Sequence, residues 1–134
     1  MGRIETDGGF WLVLGLMALL FPVRFLAGTL LAALIHELGH FLAIWMTGGK
    51  VLRICLRAGG VRIETAPMTP GREALCALAG PAAGSVTMLA WRWFPELALA
   101  GFVQTVFNLI PIYPLDGGRV VRNICCKFRD FGVQ

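Results

Sequence analysis

Charge is what this chain has least of. Lysine, arginine, aspartate and glutamate together make 15% of its 134 residues, whereas 57% are hydrophobic. A soluble domain carries about 25% charged and about 45–50% apolar residues. The mean hydropathy is +0.72. So short a chain leaves much of its surface exposed on folding, and one core cannot hide this apolar excess. An ordinary soluble domain is therefore disfavoured, and lipid is the natural solvent. Cysteine is sparse and unpatterned. Cys55, Cys76, Cys125 and Cys126 form no C-x-x-C pair, which argues against a zinc knuckle or a thioredoxin-like site. Adjacent Cys125 and Cys126 are read as plain thiols rather than lipid anchors. No internal repeat or low-complexity tract is evident. The N-terminus has no cleavage-site pattern, and its apolar run is soon followed by another, so that run reads as a span rather than a removable signal. A basic stripe is also missing. The net charge is +4, but the basic residues lie between apolar runs, which fits membrane topology and not nucleic acid.

What the chain does have is four apolar stretches, at 10–21, 25–47, 74–94 and 97–115. A spanning helix needs roughly 17–25 residues. The last three meet that length, and the first is short. The pattern predicts an all-α polytopic membrane protein, a single membrane-embedded domain over residues 1–134, with about four transmembrane helices. Lys50, Arg53, Arg57, Arg62 and Arg72 crowd one connection, and Arg119, Arg122, Lys127 and Arg129 crowd the tail. Basic loops stay in the cytoplasm. Both termini and the 50–72 connection are thus expected inside, in a bacterial cytoplasmic membrane. Trp11, Trp45, Trp91 and Trp93 fall near the interfaces this topology implies. Within the inner connection, residues 51–57 and 61–65 have β-type composition around Ala58-Gly59-Gly60. They predict a β-hairpin between the second and third helices.

His36 and His40 are the only two histidines, and they sit in His36-Glu37-Leu38-Gly39-His40 inside an apolar run. Residues four apart on a helix project from nearly the same face. Two imidazoles placed so can share one metal, and Glu37 stands beside them, within reach of water at that metal. Ionisable groups at membrane depth cost several kcal/mol unless paired, and such groups are functional by default. A catalytic zinc takes three protein ligands and keeps one open position. The fourth stretch ends in Asn108-Leu109-Ile110-Pro111-Ile112-Tyr113-Pro114-Leu115-Asp116-Gly117-Gly118, and Asp116 is the candidate third ligand. Pro111, Pro114 and the two glycines are expected to unwind the backbone there, which is tolerated at that depth beside a wet cavity.

With these residues assembled, the chain resembles the site-2 protease family of intramembrane metalloproteases, in particular the compact branch that includes stage IV sporulation protein FB. The resemblance rests on the apolar run leading into HELGH, the Gly-Gly hairpin, Ala79-Gly80-Pro81, and NLIPIYPLDGGR. It implies a three-helix catalytic core, one zinc per chain on His36, His40 and Asp116, and cleavage of membrane-protein substrates within the bilayer. One departure stands out. The family often reads G-P-x-x-N, where this chain has Gly80-Pro81-Ala82-Ala83-Gly84. Gly80 and Gly84 instead suggest a face for close helix packing.

The reaction expected is peptide-bond hydrolysis, with Glu37 as the catalytic base. Asn108 and Pro111 are candidates for positioning substrate, although the Asn108 amide could equally tie down the bent backbone around Pro111. The hairpin offers a sheet edge to an unwound substrate strand, or is simply loop structure. Two rival readings carry different chemistry: a non-catalytic membrane scaffold or pseudoprotease, and a soluble zinc peptidase of the thermolysin kind. Intact His36, Glu37, His40 and Asp116 argue against the first, and hydropathy against the second.

Overall fold

The computed structural model describes residues 3–131, with side chains described for residues 4–126. Residues 1–2 and 132–134, at the two termini expected on the cytoplasmic side, and the Lys127 and Arg129 side chains lie outside that description. In chain order the elements are β1 (Arg3–Thr6), α1 (Gly8–Leu20), α2 (Val23–Met46), β2 (Val51–Arg57), β3 (Gly60–Thr65), α3 (Pro70–Val86), α4 (Pro95–Asn108) and α5 (Asp116–Phe131). A short 3-10 segment, Thr87–Ala90, prolongs α3.

The apolar stretches all become helix, but not all become full spans. Among the described residues, two helices are long and apolar enough to cross a membrane, Val23–Met46 and Pro70–Ala90. The first stretch yields 13 helical residues and the fourth yields 14. At 1.5 Å per residue each is about 20 Å long, short of a hydrocarbon core of about 30 Å. Proline sets both limits. Pro22 follows α1, and Pro111 follows α4 closely, where a ring without an N–H cannot continue a helix.

Helix α2 is turned inside out relative to a soluble helix. Gly28, Ala32, His36 and His40, spaced four apart, are buried, while Leu30, Leu31, Leu34, Leu38 and Leu42 are exposed. In water the leucines would face the core. In lipid, small residues draw the helices together and leucine faces the acyl chains. The contacts fit that arrangement. A Cβ on Gly39 would lie 2.5 Å from the Ala79 carbonyl oxygen of α3, and one on Gly28 would lie 3.0 Å from the Leu97 nitrogen of α4. Helix α2 thus packs against both α3 and α4, and α3 packs against α5. The start of α2 meets the start of α4, so those two helices run the same way.

The expected hairpin forms and gains a third strand, in the order β1-β2-β3. Strand β3 pairs antiparallel with β2, with Ile54 opposite Ile63. Strand β1 pairs parallel with β2, with Ile4 opposite Ile54. Parallel strands need a crossover connection, and α1 with α2 supplies it. The sequence reading found no repeat, yet the tetrapeptide Arg-Ile-Glu-Thr stands in both outer strands, at residues 3–6 and 62–65. The duplication has a use in the sheet. Arg53 of the central strand reaches Glu5 on one side at 3.0 Å and Glu64 on the other at 3.7 Å. Four residues are too few to stand out until the sheet places the two copies on either side of one strand.

Candidate metal centre

Each chemically loaded side chain is delivered by a different local device. His36 and His40 come from successive turns of α2, so their rings lie one above the other with centroids 4.8 Å apart. Asp116 opens α5. The expectation that Gly117 and Gly118 unwind the chain around it is corrected by the structure: both lie in the first turn of α5, and they serve close approach. A Cβ on Gly117 would stand 2.2 Å from the Leu109 carbonyl oxygen, and one on Gly118 would stand 2.4 Å from the Tyr113 nitrogen. Without side chains there, α5 folds back against the 109–115 connection and swings Asp116 onto α2.

The convergence is tight. His36 Nε2 to Asp116 Oδ2, His40 Nε2 to Asp116 Oδ2, and His36 Nε2 to His40 Nε2 are each 3.1 Å. All three residues are buried and form a group able to hold a metal ion. Ligands about 2.0–2.1 Å from a tetrahedral zinc stand about 3.3 Å from one another, so the triangle has the right size. Its chemistry also fits. His40 Nδ1 donates to the Cys76 carbonyl at 2.7 Å, which leaves Nε2 as a lone pair in the neutral ring. A second imidazole nitrogen and a carboxylate oxygen crowd the same point, and a cation is what three converging acceptors require.

Helix α3 comes this close because residue 80 is glycine. A Cβ there would lie 2.2 Å from His40 Nε2 and 2.8 Å from His36 Nε2. The packing role expected for Gly80 is therefore packing against the ligand atoms themselves. The other carboxylate oxygen of Asp116 faces Arg119 Nη1 at 3.7 Å. Glu73 of α3 meets Arg119 at 3.9 Å and Arg122 at 3.1 Å, which ties α3 to α5 beside the site.

A cleft of about 660 Å³ opens onto the cluster, and Glu37, Asn108, Arg119 and strand β3 line it. Glu37 is half-buried and shares the cleft with both histidines. Asn108 is half-buried, and its amide donates to the Gln104 carbonyl at 3.1 Å, which ties down the end of its own helix. Pro111 is exposed and does not line the cleft.

No protein-family model matches the chain. Individual proteins do. A zinc metalloprotease of Methanocaldococcus jannaschii is 32% identical over 92% of this chain. A Synechocystis sp. protein provisionally named a zinc metalloprotease is 31% identical over 90% of it. The solved site-2 protease from Methanocaldococcus jannaschii superposes with a TM-score of 0.77, at 26% identity, over 95% of this chain. The chain is a homologue of the site-2 zinc metalloproteases. It spans 34% and 38% of the length of the two curated relatives and 69% of the solved site-2 protease chain.

Within this site-2 protease fold, the motif residues were visible in the sequence, and their supporting shell was not. Gly80 against the imidazoles, Cys76 as the carbonyl partner of His40, and the Glu73–Arg119 bridge escaped notice. One signal was available: Arg119 stands three residues after Asp116, on the same helix face. For Cys76 no signal exists, because any residue presents the same carbonyl.

Proposed function

We propose that this chain hydrolyses peptide bonds of membrane-protein substrates within or beside the bilayer, as an intramembrane zinc metalloprotease of the compact branch. The observation that carries the reading is the triangle of His36 Nε2, His40 Nε2 and Asp116 Oδ2 at 3.1 Å, opening onto a cleft with a carboxylate beside it. A zinc ion held by these three residues would polarise the scissile carbonyl and make water a nucleophile near neutral pH. Glu37 takes the proton of that water and hands it to the leaving amine. His40 keeps its lone pair on the metal side because its Nδ1–H is committed to Cys76. Arg119 faces the Asp116 oxygen turned away from the histidines, so Asp116 would offer the ion its other oxygen. Asn108 lines the cleft, where its amide oxygen would accept from a substrate backbone N–H.

A transmembrane helix cannot be cut while its carbonyls are hydrogen-bonded along its own axis, so a substrate segment must be drawn out as a strand. Strand β3 offers a place for it. The order β1-β2-β3 leaves its outer edge without a strand partner among the described residues, and Gly60 to Thr65 line the cleft. Backbone pairing along that edge would bind an extended substrate with little regard for its side chains. In this reading the sheet and α5 lie at the cytoplasmic side with both termini, because the basic residues cluster there.

Glu37→Gln tests the proposal. It removes the base but keeps the shape, and Glu37 is not among the three converging donors. The variant should retain zinc and membrane insertion, and cleave a co-expressed membrane substrate about 10²–10⁴-fold more slowly. Cleavage within about tenfold of the native rate would exclude Glu37 as the base. No cleavage of any candidate by either form, with zinc fully bound, would favour a non-catalytic scaffold.

A further inference from the structure

The two histidines are not equally supported. His40 Nδ1 has the Cys76 carbonyl, but His36 Nδ1 is buried with no hydrogen-bond partner, and His36 is 2% exposed. If His36 offers Nε2 to a metal, its Nδ1 carries the proton and needs an acceptor. Ligating histidines almost always find one in a carboxylate, a carbonyl or water. A buried donor left unpaired loses its hydration with nothing in return.

Two features lie beside that nitrogen. Thr105 of α4 is buried, and its hydroxyl reaches only the Pro81 carbonyl, at a stretched 3.5 Å. Gly84 of α3 puts no side chain between them. A Cβ there would lie 2.7 Å from Thr105 Oγ1, 3.6 Å from His36 Nδ1 and 4.0 Å from the Gly101 carbonyl oxygen. Two under-bonded polar groups, His36 Nδ1 and Thr105 Oγ1, and a third acceptor thus border the place where Gly84 has no side chain. A buried water is held by about three such partners. Gly84 is also where this chain departs from the G-P-x-x-N pattern.

We propose that Thr105 is a positioning residue for the metal site, its hydroxyl holding one buried water that accepts from His36 Nδ1–H beside Gly84. The water donates to Thr105 Oγ1 and to the Gly101 carbonyl, and the ring of His36 is locked with Nε2 toward Asp116. This rests on His36 being a zinc ligand, and the test separates the two ideas.

The measurement is zinc affinity by chelator competition on the purified, detergent-solubilised full chain, with the absorption spectrum of the cobalt-substituted protein as a second readout. Thr105→Val keeps the shape and removes the hydroxyl. Gly84→Ala puts a methyl group against Thr105 Oγ1. Each should weaken zinc about 10–100-fold, the range for lost outer partners of a ligand, and shift the cobalt spectrum. Thr105→Ser should restore native affinity and spectrum. Because both changes remove one bridge, the double variant should be no weaker than the worse single one. Thr105→Val binding zinc as tightly as the native chain, with an unchanged cobalt spectrum, overturns the proposal while leaving the zinc site intact. A Thr105→Ser variant as weak as Thr105→Val overturns it too. A native chain that binds no zinc overturns both this proposal and the function on which it rests.

Discussion

Gly80→Ala asks whether the metal site depends on the closeness of two helices. In an ordinary helix the change is favourable by about 1 kcal/mol, since alanine is the better helix former. Here the added carbon would stand 2.2 Å from His40 Nε2 and 2.8 Å from His36 Nε2. Non-bonded heavy atoms settle at about 3.5–4.0 Å, so His40 must move its tip by more than about 1 Å. A metal site tolerates about 0.2 Å. The ring can escape only by giving up its 2.7 Å bond to the Cys76 carbonyl, or by pushing α3 away from α2. Backbone retreat would open the close α2–α3 contact of Gly39 with Ala79. One of three donors is thereby lost, and zinc affinity should fall by at least about 100-fold, about 2.8 kcal/mol at 1.4 kcal/mol per decade. Helical content of the metal-free protein should stay native, and its stability should fall by no more than the overpacking cost of about 1–3 kcal/mol. Gly71→Ala on the same helix, where a Cβ meets nothing within 4 Å, is the control and should keep its zinc. The measurement is zinc per chain and chelator competition in detergent, beside circular dichroism. Native zinc affinity in Gly80→Ala would refute the close approach of α3 to the histidines and the metal geometry built on it.

His36→Ala and His40→Ala should each abolish stoichiometric zinc, and Asp116→Ala should weaken it strongly. Elemental analysis of the purified protein reads this out, and full zinc retention in the double histidine variant would end the site assignment. Reporter fusions after Arg72 and after Lys127 should report cytoplasm, and one between Phe94 and Leu97 should report outside. An external 50–72 segment would invert the proposed topology. Ile63→Pro removes an N–H from strand β3 without touching the metal ligands. It should leave zinc content native and slow substrate cleavage, whereas unchanged cleavage would argue against strand addition at β3.

The chemistry-bearing residues were legible because each breaks a local rule. Two histidines and a glutamate inside an apolar helix are too costly to be casual, and their four-residue spacing puts both rings on one face whatever surrounds them. Asp116 was legible by need, since two imidazoles leave a zinc one ligand short. Helix in the apolar stretches and the β2–β3 hairpin also followed from composition and turn chemistry. These are properties of short windows, and a short window carries them in its own residue order.

Tertiary structure decided the rest. Whether Gly117 and Gly118 bend the chain or let α5 lie against residues 109–115 depends on what stands opposite them, and the glycines read alike in both cases. Strand β1 is four residues long and gains its hydrogen bonds only when α1 and α2 carry the chain away and back to β2. The lengths of α1 and α4 were set by where proline interrupts a run that hydropathy alone reads as continuous. Above all, the support of the two imidazoles came from groups far off in sequence: Cys76 through its backbone, and Gly80 and Gly84 through side chains they do not have. A carbonyl and an absence of atoms leave no mark in a sequence pattern. They acquire chemical meaning only when the packing of α2, α3 and α4 places them against His36 and His40.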